Sequence, residues 1–178
     1  MKYIFLGGQG SGKSTQAKLL SEKFNLPHFE MGKICRERAK NQDAIGKQIS
    51  SHIDKGRLVP PKIIIKLLKE TISQKFAQNG YVLDGFPRNA IQFQALDNDI
   101  DKVFYIKVSD KDAIKRLTKR ARYDDTNEAL KTRLEIYHNQ TEPLLTIFRN
   151  KGILEEIDGE RSIEEIHKDV LKRVKCQA

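Results

Sequence analysis

The chain has no tryptophan, and among its 178 residues there are only two cysteines, two methionines and five prolines. Cys35 and Cys176 stand far apart in the chain, which excludes a disulfide framework and fits a reducing cytoplasm. None of the four histidines pairs with another at helical spacing or stands near a cysteine cluster, so no structural zinc is expected. Long apolar runs are missing too. Lys66 interrupts Ile63-Ile64-Ile65, far short of the roughly 18 residues a membrane helix needs. The opening Met1-Lys2-Tyr3-Ile4-Phe5-Leu6-Gly7 is too short an apolar stretch for a secretory leader. The expectation is a soluble, cytoplasmic, monomeric protein that does not touch the membrane. What is abundant is charge: 32% of residues, a net +9, and a mean hydropathy of −0.59. A basic excess suits a polyanionic partner, although alone it more often marks a lysine-rich solvated surface.

Short apolar runs rich in strand formers recur at Tyr3-Ile4-Phe5-Leu6, Tyr81-Val82-Leu83, Val103-Phe104-Tyr105-Ile106 and Ile153-Leu154. Each reads as a strand buried on both faces, as in a parallel sheet. Helical spacing of apolar residues fills the intervals: from Ser14 onward, then over 34–40, 44–55, 62–78, 113–119 and from 128 to about 150. A bend is expected at Pro143 in the last of these, because proline lacks the N–H a helix interior uses. Ser162-Ile163-Glu164-Glu165 is a capping box that opens a closing helix striped with Ile163, Ile166, Val170 and Val174. Strands alternating with helices predict an α/β fold, a parallel sheet flanked by helices on both faces. Without repeats or a Pro/Gly-rich linker, residues 1–178 read as one domain.

Gly7-Gly8-Gln9-Gly10-Ser11-Gly12-Lys13-Ser14 fits G-x-x-x-x-G-K-[ST] and lies where that pattern has mechanical meaning, after a strand and before a helix. Glycines let the backbone curl so that successive N–H groups face phosphate oxygens, and the helix start adds its positive end. Lys13 supplies a point charge for the β- and γ-phosphates, and the Ser14 hydroxyl suits Mg²⁺. Asp84 ends the run Tyr81-Val82-Leu83. A carboxylate at the carboxyl end of a buried strand lies at the ligand crevice of an α/β sheet, where it can hold Mg²⁺ through water. The chain is therefore expected to bind a nucleoside triphosphate with Mg²⁺.

Asp84-Gly85-Phe86-Pro87-Arg88 at this distance after the phosphate loop carries a resemblance to nucleoside monophosphate kinases, and within them to the adenylate kinase family. Gly56-Arg57-Leu58-Val59-Pro60, Arg120-Ala121-Arg122-Tyr123-Asp124-Asp125, Arg133-Leu134-Glu135-Ile136-Tyr137, Thr141-Glu142-Pro143-Leu144 and Ile157-Asp158-Gly159 extend it over nearly the whole chain. The resemblance implies a P-loop core, an AMP-covering segment at about 32–59 and a lid at about 120–125. It implies an ATP site of Gly8, Gly10, Ser11, Gly12, Lys13, Ser14 and Thr15, joined by Arg116, Arg120 and Gly159. On the AMP side it implies Met31, Gly32, Arg36, Arg57, Val59, Gly85, Arg88 and Gln92. Lys13, Arg88, Arg120, Arg122 and Arg133 would be catalytic, with Arg122 and Arg133 also reaching AMP, and Ser14 and Asp84 would serve the metal. The implied reaction is reversible transfer of a phosphoryl group from ATP to AMP. A kinase of UMP or CMP shares most of these motifs. So does a same-fold nucleotide-binding protein acting as a regulator or RNA partner, but no aromatic-basic RNA motif accompanies the charge.

The sequence departs from the family pattern in three places. Met31-Gly32-Lys33 stands where Thr-Gly-Asp is usual, reversing a charge near the metal; Lys33 is expected to lean onto a phosphate. Ser14 replaces the usual Gly after the loop lysine and restores the general P-loop metal ligand. Ala121 alone separates Arg120 from Arg122, which makes a very short lid without zinc cysteines.

Overall fold

The computed structural model describes residues 1–120 and 122–174, except for the side chain of Arg120. Five strands, β1 (Lys2–Leu6), β2 (His28–Glu30), β3 (Tyr81–Asp84), β4 (Lys102–Lys107) and β5 (Leu154–Asp158), form one sheet. The helices are α1 (Lys13–Phe24), α2 (Met31–Ala39), α3 (Ala44–Ile53), α4 (Pro61–Ile72), α5 (Ala90–Phe93), α6 (Asp110–Arg120), α7 (Asn127–Ile136), α8 (Leu144–Asn150) and α9 (Ile163–Arg173). The order is β2-β3-β1-β4-β5, and all four pairings are parallel. The expected α/β architecture is present. No helix among the described residues is long and apolar enough to cross a membrane.

Side chains that alternate along the strands divide the core in two. Tyr3, Phe5, Val82, Phe104 and Ile106 point to one face, which α1 and α9 cover with Ala17, Leu20, Ile166 and Val170. Ile4, Leu6, Leu83, Val103 and Tyr105 point to the other, under Ile49, Ile64, Leu68, Leu144 and Phe148. Burial on both faces explains why the strands read as continuous apolar runs rather than alternating ones. The predicted capping box is formed at Ser162 and Glu165, fixing the start of α9.

Three local readings differ from expectation. β2 has only three residues, too few to show a period, and its pairing with β3 rather than its own sequence makes it a strand. The helix expected over 62–78 stops at Ile72, where Ser73 Oγ donates to the Glu70 carbonyl at 3.2 Å, and a single 3-10 turn follows at Lys75–Ala77. Such side-chain bonds compete with the helix ladder near its end. The expected bend near Pro143 begins earlier, as a π turn over Tyr137–Thr141 closed by Glu142 N donating to Tyr137 O at 2.9 Å.

The chain leaves β1 toward β2 on one side and later passes to β4 on the other. The carboxyl ends of β1 and β3 therefore lie at the point where strand order reverses, the general location of ligand crevices in open α/β sheets.

Candidate active site

The phosphate loop occupies the carboxyl end of β1, and its glycines have conformations other residues resist. Gly10 has φ of 81°, and a Cβ there would stand 2.6 Å from the Ala113 carbonyl oxygen, so only glycine fits. Lys13 Nζ donates to the Gly8 carbonyl at 3.1 Å, folding back over the loop. Arg116 joins α6 to this loop from outside: Nη2 donates to Gly159 O at 2.9 Å, with longer contacts from Nη1 to Gly10 O and Ser11 O at 3.5 and 3.4 Å.

The turn after β3 organises the opposite wall. Gly85, at φ of 74°, reverses the chain, and a Cβ on it would crowd Arg88 Nη2 at 3.1 Å. Arg88 Nε donates to Gly85 O at 2.8 Å, and the Arg88 carbonyl accepts from Thr141 Oγ1 at 2.8 Å. Asn89 caps α5 by accepting from Gln92 N at 3.0 Å, and Gln92 Oε1 accepts from Arg88 N at 2.8 Å. Gln92 is buried and held at both ends. Burial pulls the Arg88 pKa below its usual value, opposed by the Asp84 carboxylate. An arginine starts so high that it keeps its charge. The same burial pushes Cys35 up to about 11, so this thiol stays protonated despite Arg88 and Arg36.

Arg133, on α7, donates from Nη2 to Asp124 at 2.6 Å and from Nη1 to Asp125 at 2.9 Å. Asp125 also accepts from Arg122 N at 3.3 Å, tying the segment before α7 to this ion pair. On α2, Arg36 Nη2 donates to Glu30 Oε1 at 2.9 Å, and the same oxygen lies 3.8 Å from Arg122 Nη2.

Many of these groups line one common cavity. Of the residues singled out in the sequence, Lys13, Ser14, Met31, Gly32, Arg36, Arg57, Val59, Asp84, Gly85, Arg88, Gln92, Arg122 and Arg133 line it. Gly8, Gly10, Ser11 and Gly12 shape the loop behind Lys13, Thr15 is exposed on α1, and Arg116 and Gly159 lie on the loop's far side. The Arg120 side chain and Ala121 lie outside the described residues. Lys33 is exposed and absent from the lining, which corrects the expectation that it leans onto a phosphate: in its place on α2 it faces solvent.

Six cations, Lys13, Arg36, Arg57, Arg88, Arg122 and Arg133, face the cavity with three carboxylates, Glu30, Asp84 and Asp124. Four buried oxygens in this region, Gln9 Oε1, Ser11 Oγ, Asp84 Oδ1 and Asp124 Oδ1, have no hydrogen-bond partner in the protein. Native proteins leave few buried polar atoms unsatisfied, and their gathering here marks a place where a polar ligand completes the network. Glu30 and Asp124 went unnoticed in the sequence as lining residues. Glu30 stands level with Asp84 on the neighbouring strand, so the reasoning that singled out Asp84 would have found it had β2 been legible.

Among the described residues, no group of three or more His, Cys, Asp or Glu side chains could hold a metal alone. Asp84 and Ser14, both on the cavity, still fit an ion held by few protein oxygens and several from water and phosphate, the habit of Mg²⁺.

Residues 5–153 match the family model described as adenylate kinase. An adenylate kinase of Caldicellulosiruptor saccharolyticus is 37% identical, the comparison covering 97% of this chain and 98% of that one. One from Methanocella arvoryzae is 37% identical over 96% of each chain, and one from Bifidobacterium longum is 40% identical over 93% of this chain and 95% of its own. The alignment with the Caldicellulosiruptor protein spans 210 positions against a chain of 178, so that relative carries residues absent here.

Proposed function

The chain belongs to the adenylate kinase family, and from that premise we propose that its cavity carries out reversible phosphoryl transfer from ATP to AMP, giving two ADP. The observation that carries this reading is the convergence of Lys13, Arg36, Arg88, Arg122 and Arg133 on one cavity between the phosphate loop and Gln92. Phosphoryl transfer asks a protein for little covalent chemistry. It needs two anions held in line and cations fixed where charge develops, away from water.

In this reading the loop amides of residues 8–15 and Lys13 hold the donor phosphates, with Arg116 and Gly159 beside the ATP base. Arg36 and Arg88 grip the AMP phosphate, each guanidinium offering paired donors to its oxygens. Arg122 and Arg133, with Arg120, surround the phosphoryl group in flight. Asp124 and Asp125 hold Arg133 in position before substrate arrives, so little reorganisation is left for the reaction itself. Gln92 has its carbonyl oxygen committed to Arg88 N, which leaves its amide N–H groups to read adenine beside the Val59 carbonyl, over Met31, Gly32, Arg57 and Gly85. The AMP-covering segment is about 32–59 and the lid about 120–125, within a single domain.

Mg²⁺ accompanies ATP in this proposal. The unsatisfied Asp84 Oδ1 and the Ser14 hydroxyl suit its water shell and an inner oxygen, respectively. When bound, such an ion would offset the charge of the phosphates. We further propose a cytoplasmic monomer, in keeping with a buried core and the near absence of cysteine, with no nucleic-acid or membrane partner.

The test is a coupled assay with ATP and each nucleoside monophosphate in turn. AMP is expected to be the best acceptor, and faster phosphorylation of UMP or CMP would overturn the assignment. Binding of nucleotides without measurable transfer to any acceptor would favour the regulatory reading.

A further inference from the structure

Glu30 is a carboxylate inside a site built for anions. It ends β2 and immediately precedes α2, where a carboxylate gains from the positive end of the helix. It makes no side-chain cap bond. Its Oε1 turns into the cavity instead, 2.9 Å from Arg36 Nη2 and 3.8 Å from Arg122 Nη2. The other two carboxylates of the lining are differently placed: Asp124 is paired with Arg133, and Asp84 lies level with Glu30 but on β3. The pair is partly buried, Arg36 being 19% and Glu30 22% exposed, so water screens it only in part.

We propose that Glu30 is a binding-site residue that stands in for the acceptor's phosphate in the nucleotide-free protein, between Arg36 and Arg122. The inference rests on the reading above, in which Arg36 and Arg122 meet that phosphate. Acceptor binding is then an exchange of one anion for another. The nucleotide must take Arg36 from a carboxylate already seated on it, and the displaced carboxylate stays near the incoming phosphate. Both effects weaken the acceptor, and both act only through its phosphate. The consequence is an empty site that resists adventitious anions and releases ADP readily.

Equilibrium binding of AMP and of adenosine to wild type, Glu30→Gln, Glu30→Ser and Arg36→Ala tests this. Glu30→Gln keeps the shape and removes the charge; Glu30→Ser removes the contact. Both are expected to tighten AMP by about twofold to fivefold, the scale of a partly exposed ion pair. Adenosine, which has no phosphate, is expected to bind wild type and both Glu30 variants equally, and their ATP KM is expected not to move. AMP binding that weakens or stays the same in both variants would overturn the proposal, because Glu30 would then be a support for Arg36 or a bystander. A parallel gain for adenosine would also overturn it, since the effect would come from pocket shape. Arg36→Ala separates the two levels: if it leaves AMP affinity unchanged, the assignment of the phosphate site itself fails. If it weakens AMP while the Glu30 variants tighten nothing, only the present inference fails.

Discussion

Replacing Asp124 by Asn removes one charge from a buried triad without changing its shape. Asp124 is 3% exposed, Asp125 2% and Arg133 10%, and the two contacts are 2.6 and 2.9 Å long. Deleting one partner of a buried ion pair costs about 3–5 kcal/mol, because the other charge is left uncompensated in a poorly hydrated place. Here Arg133 keeps Asp125, and asparagine still offers an acceptor oxygen, so roughly half of that, about 2 kcal/mol, is expected. For a chain of this length this lowers Tm by about 4–8 °C. Transfer should fall as well, by about tenfold, because Arg133 is released from the pose that faces the cavity. Urea unfolding of wild type, Asp124→Asn, Arg133→Met and the double variant isolates the pair. A coupling energy of at least about 1 kcal/mol is expected, nearly insensitive to salt because the charges are buried. Additive losses, or a coupling that disappears in high salt, would refute the reasoning and reduce the triad to an ordinary surface pair.

Gln92→Asn shortens a side chain that already spends its carbonyl oxygen on Arg88 N. The preference for AMP over CMP and UMP should shrink by at least about tenfold, since an unpaired donor in the base pocket is costly; relative kcat/KM values for the three acceptors measure it. Ser14→Gly should raise the Mg²⁺ concentration for half-maximal transfer by about tenfold to a hundredfold, read from a metal titration, and an unchanged titration would make Ser14 a passive helix-start residue. His138 lies between Glu142 Oε2 at 2.8 Å and Asp110 Oδ2 at 3.2 Å, and these two bonds raise its pKa, chiefly the one to Glu142. Because the folded value lies above the unfolded one, its stabilisation is complete below the unfolded pKa of about 6.5. It is lost as pH rises through the raised folded value. Denaturation of wild type and His138→Gln should therefore diverge most near about pH 6 and converge at alkaline pH. Equal curves at every pH would mean that the protonated ring contributes nothing.

Much of this protein is written in short-range pattern. The phosphate loop is legible because its glycine spacing reflects backbone angles that other residues avoid, as at Gly10. The central strands are legible because a parallel sheet buried on both faces needs unbroken apolar runs, and α9 because a capping box satisfies its first amides locally. The arginines of the cavity are legible through motifs whose order along the chain is kept. Tertiary structure decided what depends on neighbours distant in sequence. Three residues cannot show a period, so β2 exists only through its register with β3, and Glu30 reaches the cavity only because of that register. Lys33, three residues further along, falls on the solvent side of α2, a matter of helix rotation against the sheet that no spacing in its own segment encodes. The π turn at Tyr137–Thr141 likewise answers to its surroundings, with Tyr137 Oη bonded to Tyr105 Oη at 2.8 Å beneath the loop. Local chemistry thus selected the residue types that line the cavity, while packing between elements distant in the chain decided which charges face one another across it and which face water.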